Sequence, residues 1–187
     1  MRRLPGASGR SVLATAGLAV LLPLASGCAL IGGGLTPGPV PDQMTVTSPD
    51  FGQGLNGSAY SCHGSGRHPV IYWSGAPRGT KSFALVMDDS AAPITPYIYW
   101  VVFDISPQSS DIPSGQLQLP ARQAAKSKGT VGYEPPCPAN RGHEYRFTVY
   151  ALSKMLQLQT RSSAKTAWSA IAAYAIARGR LTAVINP

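Results

Sequence analysis

The chain has 187 residues, of which 16 are Lys or Arg and 8 are Asp or Glu, so its formal net charge is +8. The basic residues are scattered and form no stripe interleaved with aromatic residues, which argues against nucleic acid as a partner. The length suits one domain with a sizeable core, preceded by a short N-terminal extension.

The first 27 residues have the pattern of an export signal. Three arginines precede an apolar run from Val12 to Leu24, which is too short to span a bilayer as a stable helix. Small residues then stand directly before Cys28, as in the bacterial lipobox, whose cysteine carries the lipid. We therefore predict a signal peptide at 1–27 and a lipid anchor on Cys28, which would hold the protein at the extracytoplasmic face of the cell membrane. An ordinary cleaved signal is the alternative.

A segment rich in glycine and proline follows at residues 28–43. Three consecutive glycines and the prolines at 37, 39 and 41 cannot pack a core and are typical of a tether. The folded domain is predicted for residues 44–187.

Two apolar runs predict the centre of a sheet. Phe83 to Asp88 and Tyr97 to Ile105 are apolar at almost every position, which favours strands that are covered on both faces. Shorter strands are expected at Met44 to Thr47 and Val70 to Trp73. Residues 50–68 and 106–130 contain many glycines, serines or prolines and are predicted to be long loops.

The last third of the chain predicts a strand, a helix and a final strand. Tyr145 to Leu152 alternates between apolar and polar residues, as a half-exposed strand does. Ser162 or Ser163 can cap a helix, whose apolar residues repeat through Trp168, Ile171, Ala172, Ala175 and Ile176. Gly179 is expected to end the helix, and Leu181 to Ile185 to return as a strand. The fold class is mainly β with a helix near the C-terminus.

The three cysteines fit export. If Cys28 carries lipid, Cys62 and Cys137 remain as a pair, and an oxidising compartment favours a disulfide between them. Two buried free thiols or a redox-active pair are the alternatives, although the chain has no Cys-x-x-Cys spacing.

Four segments together resemble one known family. They are Tyr60–Gly64, Ile71–Leu85, Trp100–Ile105 and Ala175–Leu181, and they are similar to segments of the phosphatidylethanolamine-binding protein (PEBP) family, in its bacterial Raf-kinase-inhibitor-like branch. The resemblance implies an antiparallel β-sandwich with a small anion-accepting pocket at one end. It also implies a binding protein for phosphate or phospholipid headgroups that is not an enzyme and has no cofactor.

The resemblance also implies a set of pocket residues. Carried over one position at a time, they are Asp89, Pro93, Tyr99, Pro136, His143 and Tyr145. This chain departs from the family at three positions, where Ala91 replaces an aspartate, Tyr99 a histidine and Glu144 an arginine. Tyr99 keeps a hydrogen-bond donor but removes a titratable cation, and Glu144 is expected to bring negative charge towards the site.

Two other functions remain open from the sequence. Some family members act on protein partners, so the chain could be an interaction or inhibitor module for a kinase or protease, with a degenerate pocket. Asp89 and His143 with a serine such as Ser90 could form a hydrolase triad, although nothing in the sequence supports the needed geometry. The histidines at 63, 68 and 143 lack the spacing of a metal site, and no metal is expected.

Overall fold

Two antiparallel sheets and one helix make up the fold in the computed structural model, which describes residues 39–52, 57–89, 96–115, 117–139 and 141–187. The elements in chain order are β1 (Thr45–Thr47), β2 (Ile71–Ser74), β3 (Ser82–Asp89), β4 (Ile98–Ile105), β5 (Asp111–Ile112), β6 (Arg122–Gln123), β7 (His143–Leu152), α1 (Ala164–Tyr174) and β8 (Ala175–Ile185). One sheet has the order β1-β2-β5 and the other β6-β4-β3-β7-β8. The prediction of a mainly β fold is confirmed.

The larger sheet is covered on both faces, which explains the two apolar runs of the sequence. On one face, Leu85, Met87 and Val102 pack towards Ile71 and Trp73 of the smaller sheet. On the other face, the buried side chains gather under the helix in a cluster of Ala84, Val86, Val101, Phe103, Ala167 and Ile171. Each fully buried Val, Leu, Ile, Phe or Met side chain of these clusters stabilises the fold by about 1.5–3 kcal/mol relative to leaving it exposed.

Strand β7 is more buried than its alternating sequence predicts. Every residue from Phe147 to Leu152 is buried, so the expectation of a half-exposed strand was wrong for this part. Tyr150 and Leu152 belong to the cluster that α1 covers. Only the first residues of β7 keep partial exposure, and these lie at the end of the sheet where the predicted pocket residues meet.

The helix is shorter than predicted, and Gly179 does not end it. Ser163 caps α1, since its Oγ accepts a hydrogen bond from the backbone N–H of Thr166 at 3.1 Å, but α1 stops at Tyr174 and Gly179 lies inside β8. A Cβ at Gly179 would stand 2.2 Å from the carbonyl oxygen of Met44. The glycine is therefore required by the close approach of another segment, and it plays no part in capping the helix.

The segment that approaches β8 is the end of the predicted tether. The backbone N–H of Arg178 donates to the carbonyl of Pro41 at 2.9 Å, and the N–H groups of Gln43 and Met44 donate to the carbonyl of Arg178 at 3.1 and 3.0 Å. Residues 41–44 thus lie along the outer edge of β8. The predicted signal peptide, Cys28 and the first part of the tether lie outside the described residues.

The two long loops are mostly irregular, as predicted, with short regular pieces. A 3-10 turn at Pro49–Phe51 begins the first loop, and a second one lies at Ser58–Tyr60. Residues 106–130 contain β5 and β6, which the sequence did not predict. Cys62 and Cys137 form a disulfide with a Cα–Cα distance of 5.3 Å, which confirms their pairing. Within the described ranges, no helix is long and apolar enough to cross a membrane.

Candidate functional site

The register of two neighbouring strands brings Asp89 and His143 together. Asp89, the last residue of β3, lies opposite Tyr145 of β7, and His143 precedes Tyr145 by two residues on the same strand face. Diagonal neighbours in an antiparallel pair are within reach of long side chains. His143 Nε2 lies 2.7 Å from Asp89 Oδ1, so the two side chains form a hydrogen-bonded pair at the end of the sheet.

An irregularity in β4 adds Tyr99 to this cluster. Met87 pairs with Trp100 but Asp88 pairs with Ile98, so Tyr99 is an extra residue between the two pairs. A bulge of this kind lets consecutive side chains share a face, and both Tyr99 and Trp100 pack against the core between the sheets. The rings of Tyr99 and Tyr145 are 5.2 Å apart and nearly perpendicular. Three adjacent strands therefore supply Tyr99, Asp89, His143 and Tyr145, which we call the Asp–His cluster.

The Asp89–His143 hydrogen bond fixes the state of the imidazole. An ionised carboxylate has no proton to donate, so the proton between the two groups belongs to His143 Nε2. The carboxylate thereby holds the ring in one tautomer and one orientation. The side chain of His143 is 37% exposed and that of Asp89 is 19% exposed, so a solute can reach the pair from one side.

The two phenols of the cluster stay protonated at neutral pH. Burial raises the pKa of Tyr99, and Tyr145 and the negative charge of Asp89 raise it further. Burial and Asp89 also raise the pKa of Tyr145, while its hydrogen bond with Tyr99 acts in the opposite direction. The cluster thus offers neutral phenol groups, an imidazole and one carboxylate, a set able to bind both anionic and cationic parts of a small molecule.

An ion pair next to Asp89 supports the backbone of this residue. Arg146 Nε donates to Asp88 Oδ1 at 3.2 Å, and Arg146 Nη2 donates to Asp88 Oδ2. The same Nη2 donates to the carbonyl of Asp89 at 3.3 Å. Asp88 is buried, and its pairing with Arg146 removes the cost of an uncompensated charge there. Sequence analysis missed both residues, although a charged residue at the buried end of an apolar strand is a usable signal.

Glu144 does not face the cluster. It stands between His143 and Tyr145 on β7, so alternation puts it on the opposite strand face, where it is exposed. The expectation that its charge acts on the site stays a prediction.

A second carboxylate, Glu134, lies near the phenols but is balanced by lysines. The hydroxyl of Tyr97 donates to Glu134 Oε1 at 3.1 Å, and Lys128 Nζ lies 2.9 Å from the same oxygen. Lys126 Nζ lies 3.7 Å from Glu134 Oε2. The ring of Tyr97 is 4.7 Å from that of Tyr99, so this network borders the Asp–His cluster.

The structure does not place all predicted site residues in the cluster. Pro93 lies outside the described residues, as does Ser90, the serine of the imagined triad. Pro136 is buried beside the disulfide, where its carbonyl accepts a hydrogen bond from the N–H of Cys62 at 2.9 Å. Its part in a pocket stays a prediction.

A cavity of about 890 Å³ is lined by residues outside the Asp–His cluster. His68, Gly115, Leu117, Gln123, Tyr133 and Thr160 are among the residues that line it. The ring of His68 is stacked on Trp100 at 4.5 Å. None of its lining residues was singled out as a pocket residue from the sequence. We base the functional argument on the Asp–His cluster, because there titratable groups and hydrogen-bond donors converge.

The histidines do not form a metal site with one another. His68 lies within 3.1 Å of the carbonyls of Pro69 and Gly115, and His143 is bound to Asp89. His63 is close to the sulfurs of Cys62 and Cys137, but these are joined in the disulfide and are not thiolates. Among the described residues, no other group of three potential ligands comes together.

Comparison with known proteins gives one consistent picture. The family model for phosphatidylethanolamine-binding protein matches residues 46–186. "Putative lipoprotein LppC" of Mycobacterium tuberculosis is 36% identical over 191 aligned residues, which cover 92% of this chain and 94% of LppC. A UPF0098 protein of Methanothermobacter thermautotrophicus is 34% identical over 66% of this chain and 85% of its own. The crystal structure of E. coli YbcL, described as a new member of the mammalian PEBP family, matches with a TM-score of 0.69 and 28% identity, over 78% of this chain and 99% of YbcL.

Proposed function

Because this chain belongs to the phosphatidylethanolamine-binding protein family, we propose that its Asp–His cluster binds a small polar or anionic molecule of the phosphate or phospholipid-headgroup type. The observation that carries the proposal is the 2.7 Å contact between His143 and Asp89 beside Tyr99 and Tyr145. We propose that the protein binds this ligand without turning it over.

The charges of the cluster favour a zwitterionic headgroup over a bare dianion. The neutral phenols can donate hydrogen bonds to a phosphate, and His143 can add one from Nδ1 when the ring carries a proton on both nitrogens. Asp89 and the faces of Tyr99 and Tyr145 can attract an ammonium group. A histidine in place of Tyr99 would add positive charge and strengthen the binding of an anion. With Tyr99 at this position, the site favours a bare anion less than a site with two imidazoles would.

Isothermal titration calorimetry tests the binding site. We expect phosphoethanolamine to bind more tightly than inorganic phosphate or acetate, and His143→Ala and Asp89→Ala each to weaken binding about tenfold or more, as loss of a charged hydrogen bond does. Asp111→Ala on the smaller sheet is the matched control and should leave the affinity unchanged. Equal affinity in all variants, or no heat with any of the three ligands, would overturn the proposal.

We also propose that Cys28 carries lipid and holds the domain at the extracytoplasmic face of the membrane. The pattern of small residues before Cys28 supports this, and so does the relative that is named as a lipoprotein over nearly the whole chain. Mass spectrometry of the mature N-terminus should find diacylglycerol on Cys28, and Cys28→Ser should release the protein from the membrane fraction. An unmodified Cys28 would contradict the anchor.

A protein partner is the second candidate function, and one feature favours it. Leu119 is 91% exposed and, with Leu117, borders the 890 Å³ cavity. The two leucines give the wall of this concave surface apolar groups against which a side chain of a partner could be buried. A kinase or protease partner bound there should be lost with Leu119→Ser and retained with Asp89→Ala, whereas a partner that enters the Asp–His cluster gives the opposite result.

A further inference from the structure

We propose that the exposed face of α1 around Trp168 and Lys165 docks on the surface of an anionic lipid bilayer and so sets the orientation of the tethered domain. This inference rests on the membrane attachment proposed above. It concerns a surface distinct from the Asp–His cluster, and four features of the described residues support it.

Trp168 is exposed in a way that the other tryptophans are not. Its exposed fraction is 36%, against 5% for Trp73 and 0% for Trp100. The helical repeat predicted a buried position, but the residues of α1 that are buried are Ala167 and Ile171. An amphipathic indole at a surface is well suited to the boundary between water and lipid headgroups.

Two grooves flank Trp168 and extend its apolar surface. One groove of about 290 Å³ is lined by Val40, Tyr150 and Ala172, among others. The other, of about 570 Å³, is lined by Pro96, Ile98, Ala164 and Lys165, among others. Trp168 lines both, so it stands on a ridge with a concave surface on each side.

The anchor segment reaches the domain at this ridge. Pro39 and Val40 line the smaller groove together with Trp168, and Pro41 accepts a hydrogen bond from the N–H of Arg178. Ten residues separate Cys28 from Pro39. Even a fully extended chain of this length spans at most about 40 Å, and a coil spans about 18 Å. A lipid on Cys28 therefore keeps Trp168 within reach of the headgroups.

The charge of the surrounding chain matches an anionic surface. Residues 145–187 contain six basic residues and no acidic residue. Lys154, Arg161 and Lys165 are exposed, while Arg146 is engaged by Asp88. Asp42 is the carboxylate at the ridge, and it lies 3.7 Å from Arg178. Each basic side chain near an anionic leaflet adds attraction, and a tryptophan beside a lysine combines this with apolar burial.

The buried state of the other tryptophans makes a fluorescence test selective. The full mature protein is bound to vesicles of phosphatidylcholine and phosphatidylglycerol, in roughly a two-to-one ratio, whose acyl chains are brominated. We expect the vesicles to quench the emission of Trp168, and Trp168→Phe to lose the quenchable part of the signal. Lys165→Glu should reduce the quenching, while Arg67→Glu, an exposed charge reversal in a distant loop, should not.

Flotation of the same samples separates the two proposals. Protein that does not float with vesicles lacks the anchor, and the docking is then measured on a version held by an N-terminal His-tag on nickel-chelating lipid. Protein that floats but shows the same emission in brominated and ordinary vesicles overturns the docking. Quenching that persists in Trp168→Phe overturns the docking as well. The docking is also overturned if a protein from the envelope, and not lipid, covers this face of α1.

Discussion

At the scale of single residues, the replacement of a family histidine by Tyr99 defines this site. Burial raises the pKa values of Tyr99 and Tyr145, and the negative charge of Asp89 raises both further. The ligand preference of this chain should therefore depend on hydrogen-bond donors that keep their protons over the whole physiological range.

The phenols give a prediction that ultraviolet absorbance can check. Asp89→Asn removes the negative charge that raises the pKa values of Tyr99 and Tyr145, so their titration should move to lower pH. The matched control Asp111→Asn should leave the tyrosine titration unchanged.

The same shifts fix the sign of the pH dependence of stability. The unfolded tyrosines lose their protons near pH 10, before the buried ones do. The folded state then binds more protons than the unfolded state, so the free energy of unfolding should fall as the pH rises above about 10. A free energy of unfolding that rises with pH in this range, measured in urea, would contradict the assignment.

At the scale of elements, the close packing of residues 41–44 on β8 gives a prediction about stability. Gly179→Ala would put a Cβ 2.2 Å from a backbone oxygen, which cannot turn aside as a side chain can. We expect a loss of about 1–3 kcal/mol in the free energy of unfolding, as for other overpacked sites.

Urea unfolding of Gly179→Ala beside Thr182→Ala measures this effect. Thr182 is an exposed residue of the same strand, and its replacement should change stability by about 0.5 kcal/mol or less. Equal midpoints for the two variants would show that the segment yields easily to the new methyl group.

The sequence predicted those elements whose apolar pattern reflects their burial. The prediction failed where packing against a segment distant in the chain determines the structure. Strands β3 and β4 follow from their continuous apolar runs. The end of α1 does not, because the role of Gly179 depends on Met44, which is far away in the chain. Strand β7 looked half-exposed because its polar positions, such as Thr148, are buried under tertiary packing that local alternation does not record.

The candidate site was predictable by resemblance more than by pattern. The motifs placed Asp89, Tyr99, His143 and Tyr145 in one pocket, and the structure brings these side chains together. The irregularity in β4 that directs the side chain of Tyr99 towards the Asp–His cluster left no sign in the apolar run of the sequence. The Asp88–Arg146 pair was missed because its partners are 58 residues apart in the chain.

At the scale of the whole molecule, the disulfide joins the first long loop, at Cys62, to the segment before β7, at Cys137. It closes a segment with a sequence separation of 75 residues. On the chain-entropy model, a loop of this length stabilises the folded state by about 4 kcal/mol. We expect the Cys62→Ser/Cys137→Ser double variant to unfold at a correspondingly lower urea concentration than the oxidised protein.

Reduction of the native protein is the control for that variant. The reduced wild type and the double variant should have the same midpoint, because both lack the cross-link and both keep the remaining packing. A double variant as stable as the oxidised protein would show that the packing around Pro136 and Tyr60 holds these loops without the bond.

Residues 41–44 also bear on aggregation. A strand at the border of a sheet can recruit a strand from another chain through its unpaired backbone groups. Here the border strand β8 is occupied near Arg178 by Pro41, Gln43 and Met44, and Gly57 lies against the carbonyl of Val184 farther along. The opposite border strand, β6, has two residues. Within the described part of the chain, the larger sheet therefore offers few places for edge-to-edge association, which suits a protein that an anchor would crowd into two dimensions.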